Sequence, residues 1–546
     1  VKVHEALAKA FAAEGVTDVF GMMGNGNQHW LGSLDEVGVR QYECRHEGAA
    51  LAMAEGMARI TGQPGVVTTT GGPGTSQLAT TMLVASRGSV PLVAFCGEAN
   101  FDDDVQWLDQ GRFAAACEAG FVRIKAPNKA LEACQRAFYQ AKTESRPVML
   151  SVPMDVQQKT IDTFTYAPSA ELLPHELISP NPVAISKAAD VVERSARPVI
   201  IVGLGARAAG AGPAVRALAE SIGALIATTL HSKTWLSEDD FHVGISGVYA
   251  HRTAIELFRD SDCVIAVGAS LHKYTTDRGQ LYPEAAFVQI DQRPSIVMGD
   301  GRAADHYIHS DGRLGTEALL AALEERGHRN SGYRTPEVKE RLVTALDDPE
   351  VYEIAPGTVD PREVCRVLDA VIPPEIGLIT GTGQTVGHSQ MLMNRQRQVM
   401  LANQNFGCIG QGLTTAMGAI VATGGQPALL MEGDASFMMH LSEFETAVRY
   451  KLPLLAVILN DQLLGAEFYQ AKAHGMNADL ARIPTPDLGK VGVALGGRGA
   501  LVTDIDGLKV SAAQFVAHPG PMILDVRISE NVISIPYRRM HFGQDA

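Results

Sequence analysis

Short runs rich in Val, Ile and Leu recur along the chain: Gly65-Val66-Val67-Thr68-Thr69-Thr70, Val199-Ile200-Ile201-Val202-Gly203, Cys263-Val264-Ile265-Ala266-Val267-Gly268 and Leu454-Leu455-Ala456-Val457-Ile458-Leu459. None alternates apolar with polar residues, so each predicts a strand buried on both faces of a parallel sheet. Alanine-rich stretches with helical spacing lie between them. Two stretches break the rhythm: 163–182, with Pro168, Pro174, Pro180 and Pro182, and 326–361, charged and carrying Pro336, Pro349 and Pro356. Both read as linkers. The pattern predicts an α/β protein of three doubly wound parallel-sheet domains, at 1–162, 183–326 and 361–530.

The first and last thirds echo each other. Ala52-Met53-Ala54-Glu55-Gly56-Met57-Ala58-Arg59-Ile60-Thr61-Gly62-Gln63-Pro64 precedes a strand and a glycine turn, as does Thr415-Ala416-Met417-Gly418-Ala419-Ile420-Val421-Ala422-Thr423-Gly424-Gly425-Gln426-Pro427. On these residues alone, duplication and the chance similarity of two alanine-rich helices both stand.

Composition narrows the class. A chain of 546 residues, 46% hydrophobic and 20% charged, with 54 glycines, suits an α/β fold with many tight turns. A formal charge of −15 argues against nucleic acid, whose binding rests on Lys and Arg neutralising phosphates. Seven cysteines without a Cys-x-x-Cys pair fit buried thiols in a reducing compartment better than disulfides or structural zinc. The N-terminal residues lack the apolar core of a signal peptide, and no run approaches the ~20 apolar residues of a membrane span. A cytoplasmic protein without membrane contact is expected.

The candidate chemistry centres on Leu430-Met431-Glu432-Gly433-Asp434-Ala435-Ser436-Phe437 and Val457-Ile458-Leu459-Asn460-Asp461-Gln462. Each puts oxygen donors directly after an apolar strand-like run, with room for one helix between two parallel strands. Such a pair suits Mg²⁺, which takes one or two protein oxygens and the rest from a diphosphate and water. Asp434 and Asp461 are the candidate metal ligands, with a backbone carbonyl near Leu463 as a third. Gly381-Thr382-Gly383-Gln384, after a buried strand, reads as a diphosphate loop, and Gly433 with a helix beginning near Ser436 would add N–H donors.

These motifs resemble those of thiamin-diphosphate (ThDP) enzymes of the acetolactate synthase, benzoylformate decarboxylase and benzaldehyde lyase group. Arg45-His46-Glu47-Gly48 resembles the segment carrying that family's activating glutamate. Thr70-Gly71-Gly72-Pro73-Gly74-Thr75 resembles the glycine turn after it, and Asn405-Phe406-Gly407-Cys408-Ile409-Gly410-Gln411-Gly412 resembles the cofactor-contacting loop. The resemblance implies that Glu47 bonds the pyrimidine ring and favours the tautomer that takes the thiazolium proton, and that Ile409 props the cofactor into a bent shape. It also implies that Gly72, Gly407 and Ala435 belong to the cofactor site. The N- and C-terminal domains would share a fold and hold the cofactor across a subunit boundary in a homodimer or homotetramer, around a Rossmann-like central domain. Two departures are visible: Ala435 replaces a glycine, and Asp461 replaces an asparagine.

The same resemblance implies a 2-oxo acid decarboxylated with transfer of the acyl unit to a carbonyl acceptor. A 2-hydroxy ketone lyase, a simple 2-oxo acid decarboxylase and a silent partner subunit are the alternatives. Asn25 falls where relatives place a small residue; its amide would meet substrate or cap the following helix. Gln106 resembles a glutamine near the reacting carbon, so Glu47, Asn25 and Gln106 form the expected catalytic set. Thr68 stands about where benzoylformate decarboxylases carry a histidine. Ser270 follows Gly268 where acetolactate synthases place a FAD-binding arginine, so FAD is not favoured.

Overall fold

The computed structural model describes residues 1–100, 103–173, 176–294, 298, 301–345 and 348–543, which leaves Pro174 of the first linker outside the described residues. Among the described residues, eighteen strands form three six-stranded parallel sheets. The first holds β1 (Asp18–Gly21), β2 (Arg40–Glu43), β3 (Gly65–Thr69), β4 (Leu92–Glu98), β5 (Gly120–Arg123) and β6 (Pro147–Pro153). The second holds β7 (Pro198–Val202), β8 (Leu225–Thr228), β9 (His242–Ile245), β10 (Cys263–Val267), β11 (Ala286–Asp291) and β12 (His306–His309). The third holds β13 (Gly377–Thr380), β14 (Met400–Ala402), β15 (Ala428–Gly433), β16 (Leu454–Asn460), β17 (Arg498–Val502) and β18 (Met522–Arg527).

The first and third sheets have one topology, β2-β1-β3-β4-β6-β5 and β14-β13-β15-β16-β18-β17. The central sheet runs β12-β11-β10-β7-β8-β9, the Rossmann order, with β7 and β10 at the switch point. The four apolar runs are β3, β7, β10 and β16, with every residue buried. Period-two alternation divides each strand between two cores: Val66, Val93, Phe95, Val148 and Leu150 face one side of the first sheet, and Val67, Ala94, Cys96 and Met149 the other.

That second face is shared. One apolar cluster contains Val67 and Ala94 of the first sheet together with Ile379, Leu430, Ala456 and Ile458 of the third. It is sealed by the helices Glu47–Thr61 and Gly412–Ala422, the two echoing segments, which cross with their backbones in contact. Shared strand order and a common helix pair make duplication the simpler account of the echo. The central domain docks on the third through Lys233, whose Nζ donates to the Ser389 carbonyl at 3.2 Å.

The stretch 326–361 contains the helix Pro336–Val343, where a linker was expected. Thr335 caps it by accepting from the Val338 N–H, and Pro336 sits at the first helical position, where a missing N–H costs nothing. Pro182 and Pro361 likewise open helices behind Asn181 and Asp360 caps. No helix among the described residues is long and apolar enough to cross a membrane.

Candidate cofactor site

The carboxyl ends of β15 and β16 carry the oxygen donors. These strands are hydrogen-bonded neighbours with Gly433 opposite Leu459, so Asp434 lies beside Asn460 and Asp461. The helix after β15 starts at Asp434, two residues before the expected Ser436, with Gly433 as its cap. Asp434 is 1% exposed and its Oδ2 has no hydrogen-bond partner. Burial pushes its carboxyl up to about 7, against the pull of the Ala435 N–H. Burial, and then the charge of Asp434, hold Asp461 well above the ordinary carboxylate range. Two acids near enough for the charge of one to raise the other, the first buried with an orphaned oxygen, are the donor set a small divalent cation satisfies.

Asn460 does something different. Its amide donates to Asp525 at 2.8 Å and to Thr485 at 2.9 Å, tying β16 to β18. Gln462 then takes a left-handed turn (φ 59°), which lets the Leu463 N–H return to Asp461 Oδ1 at 3.1 Å. Leu463 is buried beside this turn, bridged to Arg482.

The loop 381–384 closes over the same acids. Gly383 has φ 127°. Gln384 is buried, donates to the Val532 carbonyl at 3.2 Å and leaves its Oε1 unpartnered. A β-carbon on Gly465 would touch both Gln384 and Asp461 at 3.4 Å, so the loop and the acid are one residue apart. Gly407 (φ 71°) and Gly410 (φ 102°) shape the second loop. Ile409 is half-buried between them, and the Gly410 N–H donates to Ser436 Oγ at 2.8 Å.

Glu432 is the residue that sequence reasoning missed. It is fully buried, and its carboxyl fills the space between two glycines: a β-carbon on Gly381 or Gly412 would come within 1.9 or 1.8 Å of it. Burial raises it to about 7, and both of its oxygens are buried without a hydrogen-bond partner. An acid closing the apolar run Leu429-Leu430-Met431 was the available signal.

On the N-terminal domain, Glu47 is the first residue of its helix and His46 the cap, accepting from the Gly48 N–H. Glu47 Oε1 lies 3.0 Å from where a β-carbon on Gly74 would stand. Gly72 (φ 48°) has the Gln106 carbonyl 2.0 Å from its own absent β-carbon. Thr70 links this turn to the next, its Oγ1 accepting from the Gly26 N–H at 3.1 Å. Glu47, Gly72, Gln106 and the loop holding Asn25 therefore converge.

Asn25 is exposed, and its amide oxygen receives only a long 3.4 Å contact from Gln28. Asn27 anchors the loop instead: it accepts from the Gly24 N–H at 2.8 Å and donates to Met22 and Thr68. Thr68 is itself buried and bonded to the Phe95 carbonyl. Asn25 thus does not cap the helix, and it lines a cavity of about 400 Å³ with His29, Asn100, Gln158 and Lys159. Gln106 is exposed. Within one chain the two walls meet through Arg45, whose N–H donates to Glu443 at 2.8 Å and whose side chain pairs with Glu445 at 2.7 Å.

Models of the thiamine pyrophosphate enzymes match three parts of the chain: the N-terminal TPP binding domain over residues 1–117, the central domain over 185–319 and the C-terminal TPP binding domain over 380–526. The chain is 30% identical to the acetolactate synthase large subunit of Parasynechococcus marenigrum, across 96% of this chain and 87% of that protein. It is 29% identical to the probable acetolactate synthase large subunit of Methanocaldococcus jannaschii, across 97% and 92%. A sulfoacetaldehyde acetyltransferase of Castellaniella defragrans is 26% identical, across 92% and 88%.

Proposed function

This chain belongs to the thiamine pyrophosphate enzymes, and we propose that it is a ThDP- and Mg²⁺-dependent carboligase that decarboxylates a 2-oxo acid and joins the acyl unit to a carbonyl acceptor. The observation that carries the reading is the pair Asp434 and Asp461, the first buried with one oxygen unpartnered, the second half-buried, both with carboxyls raised above the ordinary range. Two acids brought together, one of them out of water, are costly to ionise until a cation arrives. Full-length similarity to acetolactate synthases supports the choice of reaction.

In this reading Asp434, Asp461 and a carbonyl near Leu463 hold the metal. Gly381, Gly383, Gln384, Gly433, Ala435 and Ser436 form the diphosphate cradle, and Gly407 and Ile409 shape the loop against the cofactor's centre. ThDP, when bound, would supply a nucleophilic carbon that adds to the substrate carbonyl and a cationic thiazolium ring that takes up the electron pair of the broken carbon–carbon bond. Glu47, beside the turn of Gly72, holds and exchanges a proton at the pyrimidine ring. Asn25 and Gln106 orient the acceptor as neutral hydrogen-bonders. Active sites shared between subunits of a homodimer or homotetramer, in a reducing cytoplasm, complete the reading.

FAD is possible but not favoured in it: Ser270, exposed beyond the contact of Gly203 with Gly268 at the switch point, stands where the resemblance places a FAD-binding arginine. A flavin spectrum in stoichiometric amount would overturn that part.

The test is to load the protein with ThDP and Mg²⁺ and measure CO₂ and 2-hydroxy ketone from pyruvate, benzoylformate and glyoxylate. Aldehyde from benzoin without CO₂ would move the assignment to a lyase. No turnover with any of them, cofactor bound, would make the chain a silent partner.

A further inference from the structure

The helix after the metal motif holds one peptide unit of the cofactor loop from two sides. Ser436 and His440 stand four residues apart, on one face of the turn that spans Asp434–Met439 and its cap. Ser436 Oγ accepts the Gly410 N–H at 2.8 Å. His440 Nδ1 lies 2.5 Å from the Gly410 carbonyl oxygen. A carbonyl only accepts, so the His440 proton sits on Nδ1. Both polar groups of Gly410 are thereby taken, which fixes a residue that as glycine is otherwise free to move and whose φ of 102° other residues rarely adopt. The residue before it is Ile409.

His440 also reaches the other wall. Its ring centroid is 5.3 Å from that of His46, the residue before Glu47. His46 uses Nδ1 to accept the Gly48 N–H, which leaves its proton on Nε2. One ring presents an N–H at Nε2 and its neighbour a lone pair, so the two neutral tautomers are compatible side by side.

We propose that His440 is a positioning residue that clamps the loop of Ile409 to the metal-motif helix and braces it against His46 of the N-terminal domain. The clamp is a property of the chain alone; its bearing on turnover rests on the function proposed above.

Two variants separate donor chemistry from bulk. His440→Asn keeps an N–H within reach of the Gly410 carbonyl, and His440→Leu removes it. Amide hydrogen exchange on the cofactor-free protein, followed by mass spectrometry over residues 405–412, should quicken about tenfold in His440→Leu and stay near wild type in His440→Asn. In the loaded enzyme, kcat should fall about tenfold in His440→Leu with KM and the ThDP dissociation constant little changed, and His440→Asn should restore it. Unchanged exchange in His440→Leu overturns the clamp. Faster exchange with unchanged kcat overturns the positioning role and leaves the functional reading intact. If His440→Leu does not fold, Ser436→Ala removes the opposite bond and must quicken exchange in the same peptide. The exchange result decides the clamp whether or not the wild-type protein turns over.

Discussion

Gly418 faces the backbone of Met53: a β-carbon on Gly418 would lie 2.0 Å from the Met53 carbonyl oxygen. The same contact recurs with the helices exchanged, since a β-carbon on Gly56 would lie 2.3 Å from the carbonyl oxygen of Thr415. Gly56 follows Met53 by three residues, as Gly418 follows Thr415. The two helices therefore cross about a local two-fold axis, and this crossing joins the Glu47 wall to the wall of Asp434 and Asp461. Gly418→Ala places a methyl against backbone that cannot rotate away, and should lower stability by about 1–3 kcal/mol or more. Gly32→Ala is the control: nothing lies within 4 Å of its added carbon, and it should be neutral or stabilising by up to about 1 kcal/mol. Urea midpoints of both variants check the pair.

Glu47→Gln should leave ThDP bound and lower kcat about a hundredfold or more, because an amide keeps the shape but exchanges no proton. The measurement is steady-state kinetics beside a ThDP titration. A variant with most of the wild-type rate would remove Glu47 from the chemistry.

Asp434→Ala should weaken ThDP binding at least about tenfold, and chelation should release cofactor reversibly. Asp461→Asn should be milder, since its amide oxygen still ligates and one of two facing charges is gone. Calorimetric titration of ThDP at fixed Mg²⁺ distinguishes them. Asp461→Asn that fails to bind at saturating Mg²⁺ would mean that the second charge is required.

Much of this architecture was legible along the chain because β3, β7, β10 and β16 are buried on both faces and so are apolar throughout. The edge strands were not: β2 and β17 expose residues such as Arg40 and Leu501, and neither is apolar and buried throughout. Pro336 misled because the same ring that breaks a helix also starts one. Of the site, the oxygen donors and glycine turns could be picked out, since each needs a particular residue type in a particular place. What escaped was contact across the fold. Glu432 between Gly381 and Gly412, and Asn27 taking the anchoring role beside Asn25, depend on which loops meet, and no local pattern records that.

Buried histidines should make acid stability fall in a defined window. His388 is buried, its Nε2 without a partner, and burial lowers its pKa to about 4 from 6.5. It is neutral when folded and gains a proton on unfolding below about 6.5, so the unfolded chain binds more protons and stability drops as pH falls toward 4. Below 4 both states are charged and the slope ends. Buried acids such as Glu432 act with the opposite sign, so the comparison must be between variants. The stability of wild type minus that of His388→Gln should decrease by at most about 1.4 kcal/mol per pH unit between 6.5 and 4. Denaturant melts at several pH values measure it; a difference that does not vary with pH would mean that His388 is solvated.

Asn25 should govern which substrates are used without holding the protein or the cofactor together. Its side chain has one long 3.4 Å contact, and the bonds that fix its loop are made by Asn27 and by the backbone of Gly26. Removing the amide therefore costs the fold little. Its place matters more: it follows β1, on the side of the sheet where open α/β folds bind ligands. A neutral amide there can orient a carbonyl or hydroxyl without titrating, and one that meets substrate only in the transition state changes kcat rather than KM. Asn25→Ala should leave the thermal midpoint unchanged and the ThDP dissociation constant within about twofold, and shift the ratio of products formed from two competing acceptors by about tenfold. Chromatographic product ratios beside a cofactor titration test this. If only the dissociation constant moves, the loop serves the cofactor, and the acceptor is chosen elsewhere, with Gln106 above Gly72 as the next residue to vary.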